Sequence, residues 1–110
     1  MIVIYGIPNC DKCRAANKWF SAQGAEFRFH DVRSDGLQSA ALDNWLQELG
    51  EDTLLNRRST TWRQLSDTER EADAAELILQ HPTLLKRPLV DTGAGLIVGY
   101  DEGAWQKALD

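Results

Sequence analysis

Apolar and polar positions change their period along the chain, and those changes outline the elements. Ile2-Val3-Ile4-Tyr5 is a short apolar run dense in β-branched residues, followed by Gly6 and Pro8. It predicts a buried strand that ends in a turn at Pro8-Asn9. From residue 11 to 22 the apolar positions Ala15, Ala16, Trp19 and Phe20 fall at helical spacing, and Gly24 ends that helix. Residues 26–30, Glu-Phe-Arg-Phe-His, alternate strictly and predict a second strand.

The middle of the chain reads as helical. Ser39 is the expected cap of a helix whose apolar stripe is Leu42, Trp45, Leu46 and Leu49, with Gly50 at its end. Residues 53–56 predict one short turn. Ser66-x-x-Glu69 and Asp73-x-x-Glu76 each match a capping box, and Leu77, Ile78 and Leu79 carry a helix to His81, where Pro82 stops it. Strand patterns then return at 87–91 and 96–100, joined by Thr92-Gly93-Ala94-Gly95 as a hairpin turn. Asp101 is the expected cap of a last helix with Trp105, Ala108 and Leu109 facing inward. The order β-α-β, several helices, β-β-α is the thioredoxin order of an α/β fold in a single domain over 1–110, with a helical insertion at about 37–81. The order alone also suits other α/β sandwiches, so the chemistry at the first strand-to-helix junction decides.

Composition narrows the function classes. A chain of 110 residues with 43% hydrophobic and 26% charged residues is ordinary for one soluble domain, long enough to bury a core without staples. A net charge of -5 and no basic stripe argue against a nucleic-acid groove. The longest apolar runs are too short to span a bilayer. The first residues lack a basic segment and a long apolar stretch, so no secretory signal is expected and the expected location is the cytoplasm. In that compartment two cysteines three residues apart suit catalysis, redox sensing or metal binding better than a structural bridge.

Cys10 stands at the first strand-to-helix junction, in Asn9-Cys10-Asp11-Lys12-Cys13-Arg14. A sulfur ahead of a helix meets unpaired backbone N–H groups and the positive end of the helix dipole, which favour thiolate over thiol. Lys12 and Arg14 add positive charge and Asp11 opposes them. Cys13 lies one helical turn on. It can resolve a mixed disulfide or sulfenic acid on Cys10, or, aligned with Ala16 and Phe20, serve as a small core residue. Zinc requires more ligands than this pair, and His30 and His81 form no ligand pair with it, so no metal is expected. Two basic stretches, residues 57–63 and Lys86-Arg87-Pro88, offer guanidinium groups for an anion or salt bridges for the abundant carboxylates. Pro88 starts the third strand, and its isomer is open at this level.

Taken together, Tyr5-Gly6-Ile7-Pro8-Asn9-Cys10, residues 54–63, residues 81–88 and Val98-Gly99-Tyr100 resemble the ArsC/Spx superfamily. The likeness is strongest to its YffB-type arsenate-reductase-like members. The resemblance covers nearly the whole chain. It implies a thioredoxin-like fold with an inserted helical subdomain, Cys10 as nucleophile, a cis Pro88, and Arg58 and Arg87 as anion-holding residues. Asn9, Lys12 and Pro88 are then the expected substrate contacts. No bound cofactor is implied; glutathione is the expected co-substrate and glutaredoxin a possible protein partner. Two departures shape the reading. Where arsenate reductases carry a third arginine after the last hairpin strand, this chain has Gly99-Tyr100-Asp101-Glu102, which repels an oxyanion. The Cys10/Cys13 pair is absent from glutaredoxin-dependent arsenate reductases and present in Spx-type regulators, which bind the RNA polymerase α subunit. The sequence therefore points first to a thiol–disulfide oxidoreductase, then to a redox-controlled regulator, then to arsenate reduction.

Overall fold

The β-branched run at the start forms β1 (Ile2–Gly6), and the computed structural model, which describes all 110 residues, places it inside a four-stranded sheet. The chain divides into two compact units, one made of 1–31 with 87–110 and the other of 32–86.

In the first unit, β1 is followed by α1 (Asp11–Ala22) and β2 (Phe27–Asp31). After the second unit come β3 (Leu89–Asp91), β4 (Leu96–Val98) and a last helix, α7 (Glu102–Leu109). The sheet order is β2-β1-β3-β4. β1 runs parallel to β2, with Ile4 opposite Phe29, and antiparallel to β3, with Tyr5 opposite Leu89. β3 and β4 form the expected hairpin. Both of its strands are shorter than the apolar pattern suggests. Pro88 has no N–H to give a ladder, and Gly99 at φ +87° turns the chain out of β4.

One face of this sheet is covered by α1 and α7 residues. Ile2, Ile4, Ala16, Phe20, Val90 and Trp105 form the buried core. Phe20 and Trp105 have ring centroids 5.2 Å apart at 44°, and Tyr100 meets Trp105 edge-on at 4.7 Å. Each such side chain contributes about 1.5–3 kcal/mol by leaving water. Trp105 and the half-buried Leu109 carry the inward stripe of α7 as expected, whereas Ala108 is exposed and Ala104 takes the inner position.

The second unit contains α2 (Ser39–Leu49), α3 (Glu51–Leu54), α4 (Thr60–Gln64), α5 (Asp67–Arg70), α6 (Ala74–Gln80) and a 3-10 turn at Pro82–Leu84. Leu42 and Trp45 of α2 are buried, and α2 packs on α6, whose Leu77 and Ile78 are also buried. Within this unit, residues 54–56 and 84–86 are clasped by backbone bonds, Asn56 N–H to Leu84 O at 2.7 Å and Lys86 N–H to Leu54 O at 2.8 Å.

Several helix ends differ from the sequence expectation. Leu42 N–H bonds to the Gln38 carbonyl, so Gln38 is the cap position of α2 and Ser39 is already helical. The expected turn at 53–56 forms earlier, as α3. The Ser66 capping box forms in both directions with Glu69. Asp73 takes the cap position of α6 but its side chain makes no capping bond. Asp101, in contrast, accepts from Ala104 N–H at 3.0 Å. Both aspartates place a carboxylate at a helix start, so their dipole terms are similar and the hydrogen bond is the difference. Asp101→Ala is expected to cost about 1 kcal/mol more stability than Asp73→Ala. Urea unfolding of the two variants measures that gap, and equal losses would show that the Asp101 bond contributes nothing.

Candidate active site

The turn between β1 and α1 is closed by Cys10 N–H donating to Ile7 O at 3.3 Å. Cys10 then occupies the N-cap position of α1 in extended conformation, φ -99° and ψ 124°, and its carbonyl accepts from Arg14 N–H at 2.9 Å. The side chain is a partly exposed free thiol. Cys13 is also a free thiol, but it is wholly buried.

The two sulfurs sit one turn apart and titrate in opposite directions. For Cys10, burial by itself raises the pKa. Against it act the Cys13 backbone N–H, the Cys13 thiol as hydrogen-bond partner, the Arg87 charge and the Lys12 backbone N–H, and together they bring Cys10 below its ordinary value. For Cys13, burial dominates. The Ile7 backbone and Arg87 oppose it, but the hydrogen bond with Cys10 and the neighbouring charge reinforce it, and Cys13 is pushed up to about 12. Of the pair, Cys10 therefore loses its proton first, and the negative charge then falls on the more exposed sulfur with the Cys13 thiol as its donor.

Arg87 is half-buried and precedes Pro88 through a cis peptide bond. Its Nη1 is buried without a hydrogen-bond partner, and no carboxylate forms a salt bridge with it. A buried guanidinium donor left without an acceptor is costly in a folded protein, which makes this cation available to the Cys10 sulfur and to anionic groups near it. Pro88 is fully buried, and its carbonyl accepts from Gly99 N–H at 2.8 Å. That bond fixes the start of the hairpin beside the cis peptide.

The local charges around Cys10 sort differently from their sequence order. Arg14 forms a salt bridge with Asp11, so these two largely cancel. Their three-residue spacing on a helix was the available signal. Lys12 is exposed and acts on Cys10 through its backbone N–H. Asn9 is exposed in the turn beside it. Cys10, Cys13, Arg87 and Pro88 thus come together in the first unit. Arg58 belongs to the second unit, where it lines a pocket of about 400 Å³ with Asp52, Asn56, Arg57 and Lys86. Arg57 in that pocket is held by Asp52 at 2.7 Å and Glu51 at 3.1 Å.

Sequence comparison now assigns the family. The ArsC family model matches residues 5–108. The chain belongs to the ArsC family. Among curated ArsC-like relatives, an uncharacterized protein of Haemophilus influenzae is 37% identical over 98% of both chains. The global transcriptional regulator Spx of Bacillus subtilis is 30% identical over 99% of this chain and 87% of its own length. Among solved structures, a YffB protein superimposes with TM-score 0.93 at 35% identity over the whole of both chains. An arsenate reductase (ArsC) related protein from Brucella melitensis gives TM-score 0.74 at 34% identity, covering 99% of this chain and 94% of its own. A thioredoxin-like protein at 16% identity and TM-score 0.52 shares the fold. The ArsC-family chain is thus a thioredoxin-like α/β protein of a thiol-redox family, as its sequence suggested.

The causes of the Cys10 shift separate a charge from a backbone amide. Arg87→Gln removes the charge and is expected to raise the Cys10 pKa, moving the midpoint of its alkylation-rate profile to higher pH. Lys12→Ala keeps the amide and is expected to leave the midpoint nearly in place. Iodoacetamide alkylation followed against pH distinguishes the two; a larger move for Lys12→Ala would assign the charge effect to the wrong residue.

Proposed function

We propose that this protein is a glutathione-dependent thiol–disulfide oxidoreductase with Cys10 as its nucleophile. The observation that carries the reading is the pairing of a thiolate-favouring Cys10 at the start of α1 with Arg87, whose Nη1 is buried and unpaired. A nucleophilic sulfur needs to be charged at working pH, and an anionic substrate needs a fixed cation beside it.

The chemistry balances without a cofactor. The Cys10 thiolate attacks the glutathione sulfur of a mixed disulfide R–S–S–G. A Cys10–S–S–G bond forms, the old S–S bond breaks, and R leaves as a thiolate that takes a proton from water. The thiolate of a second glutathione attacks the glutathione sulfur of that adduct, releasing glutathione disulfide and restoring the Cys10 thiolate. Across the cycle R–S–S–G and one free glutathione become R–SH and glutathione disulfide, so the substrate thiol is released at the expense of a single glutathione. Arg87 steadies a substrate carboxylate or the developing thiolate, and Arg58, in the pocket of the second unit, is a candidate anion-holding residue. Asn9 and Lys12, both exposed and close to Cys10 in the chain, serve as outer contacts. Cys13 offers an internal route by attacking Cys10 Sγ to form a Cys10–Cys13 disulfide. Its burial and high pKa make external glutathione the faster second thiol.

Arsenate reduction is the weaker chemistry for this site. The segment after β4 presents Asp101, committed to the α7 cap, and Glu102, which accepts from Tyr100 Oη at 2.5 Å. A second reading, redox-controlled binding to the RNA polymerase α subunit, draws on the 30% identity to Spx over nearly the full chain. A pull-down with that subunit, using oxidised and reduced protein, tests it; capture in neither state removes it.

Turnover of a glutathionylated peptide with excess glutathione tests the main reading. Cys10→Ser is expected to abolish it, and Cys13→Ser to retain most of it. Full activity in Cys10→Ser would overturn the mechanism. Arg87→Gln is expected to lower kcat/KM by about tenfold to a hundredfold, the loss of one charge-assisted contact of about 1.5–3 kcal/mol.

A further inference from the structure

Gly6 ends β1 immediately below the reactive junction and is buried. A Cβ built on it would lie 2.4 Å from Cys13 Sγ and 3.3 Å from Cys13 Cβ, with the Phe29 ring edge at 3.5 Å. The first distance is far inside van der Waals contact. The Cys13 sulfur therefore rests directly on the bare Cα of Gly6. Cys13 has no exposed surface, so its side chain has little room to turn elsewhere. Among the glycines, Gly6 alone meets atoms at such range; the glycines at 24, 36, 50, 93, 95 and 99 face open space. No positive φ is needed at Gly6, so close approach is the feature that calls for glycine there.

We propose that Gly6 is a positioning residue for the reactive sulfur: by lacking a side chain it seats Cys13 Sγ where the thiol donates to the Cys10 thiolate. The proposal rests on the thiol-exchange reading and names a residue that has no side chain to take part in the reaction. It gives Cys13 a role that requires no disulfide between the two cysteines. The neighbouring charge state supports it, since the Cys13 thiol favours ionised Cys10 and Cys10 in turn keeps Cys13 protonated. A methyl group at position 6 would push the Cys13 sulfur off its seat and so reach Cys10 at second hand.

The test is a cycle of variants read by the pH midpoint of Cys10 alkylation, which needs no disulfide substrate. Failure of the glutathione turnover assay would therefore leave this result standing, and the reverse also holds. The midpoint is preferred to a rate at one pH, because a less acidic thiolate is also a better nucleophile. Cys13→Ala is expected to raise the midpoint by about one pH unit, corresponding to about a tenfold loss of thiolate well below it. Cys13→Ser, which keeps a donor, is expected to recover most of the shift. Gly6→Ala is expected to match Cys13→Ala, and Gly6→Ala combined with Cys13→Ala to add nothing further. An unchanged midpoint in Gly6→Ala, or full additivity with Cys13→Ala, would overturn the proposal. If Gly6→Ala does not fold but the double variant does, the seat is shown by rescue, and the alanine–serine comparison at position 13 decides the donor role. If neither folds, Gly6 is required for something other than Cys13 and the proposal fails.

Discussion

Pairing along β1 is the constraint on which the first unit depends. The strand gives one edge to β2 in parallel and the other to β3 in antiparallel register. The opening β-α-β segment and the closing β-β-α segment are thereby built onto a single strand. With Tyr5 opposite Leu89, the chain entering β3 passes the end of β1, where the Cys10 turn begins. Arg87, remote in sequence, reaches Cys10 through this register. The hydrophobic face under the same strand, with Ile2 and Ile4 against Phe20 and Trp105, holds the register. A one-residue slip would turn that face toward water.

Within that frame, environment decides between two chemically identical thiols. Both belong to the first turn and a half of α1 and both feel its dipole. Cys10, at the cap, receives amides, a thiol donor and the Arg87 charge, and their sum exceeds the cost of partial burial. Cys13, fully enclosed and seated against Gly6, loses more by burial than its neighbours return. Burial is an advantage to the pair as a whole. It keeps the donor protonated and fixed, so that little ordering is required when the thiolate is used.

The arginines of the second unit show how a basic stretch divides between structure and availability. Arg57 is held by Glu51 and Asp52, and its guanidinium carbon lies 5.8 Å from the Trp62 ring centroid. Arg70 also approaches that ring, at 5.4 Å, while donating to the Trp62 carbonyl. Arg58 lines the pocket with Lys86, whose Nζ donates to the Asp52 carbonyl at 3.0 Å. Salt-bridge geometry therefore claims Arg57 and leaves Arg58 as the pocket's less committed guanidinium.

Local information in the chain determined most of the element order. β-branching marked β1, spacing of Ala16 and Phe20 marked α1, and a cysteine just ahead of that helix was identifiable as an N-cap sulfur because capping depends on near neighbours. The Ser66 box and the Asp101 cap were legible for the same reason, while Asp73 shows that a capping pattern does not oblige its side chain to bond. Only tertiary structure decided which charges act on Cys10. Arg14, close in sequence, is neutralised by Asp11, and Arg87, far in sequence, is delivered by strand pairing. It also decided why position 6 is glycine. Sequence shows a small residue after a strand; only the packed chain shows the Cys13 sulfur lying where a side chain would have been. Electrostatic and steric contacts act through space, and the fold brings distant positions into range.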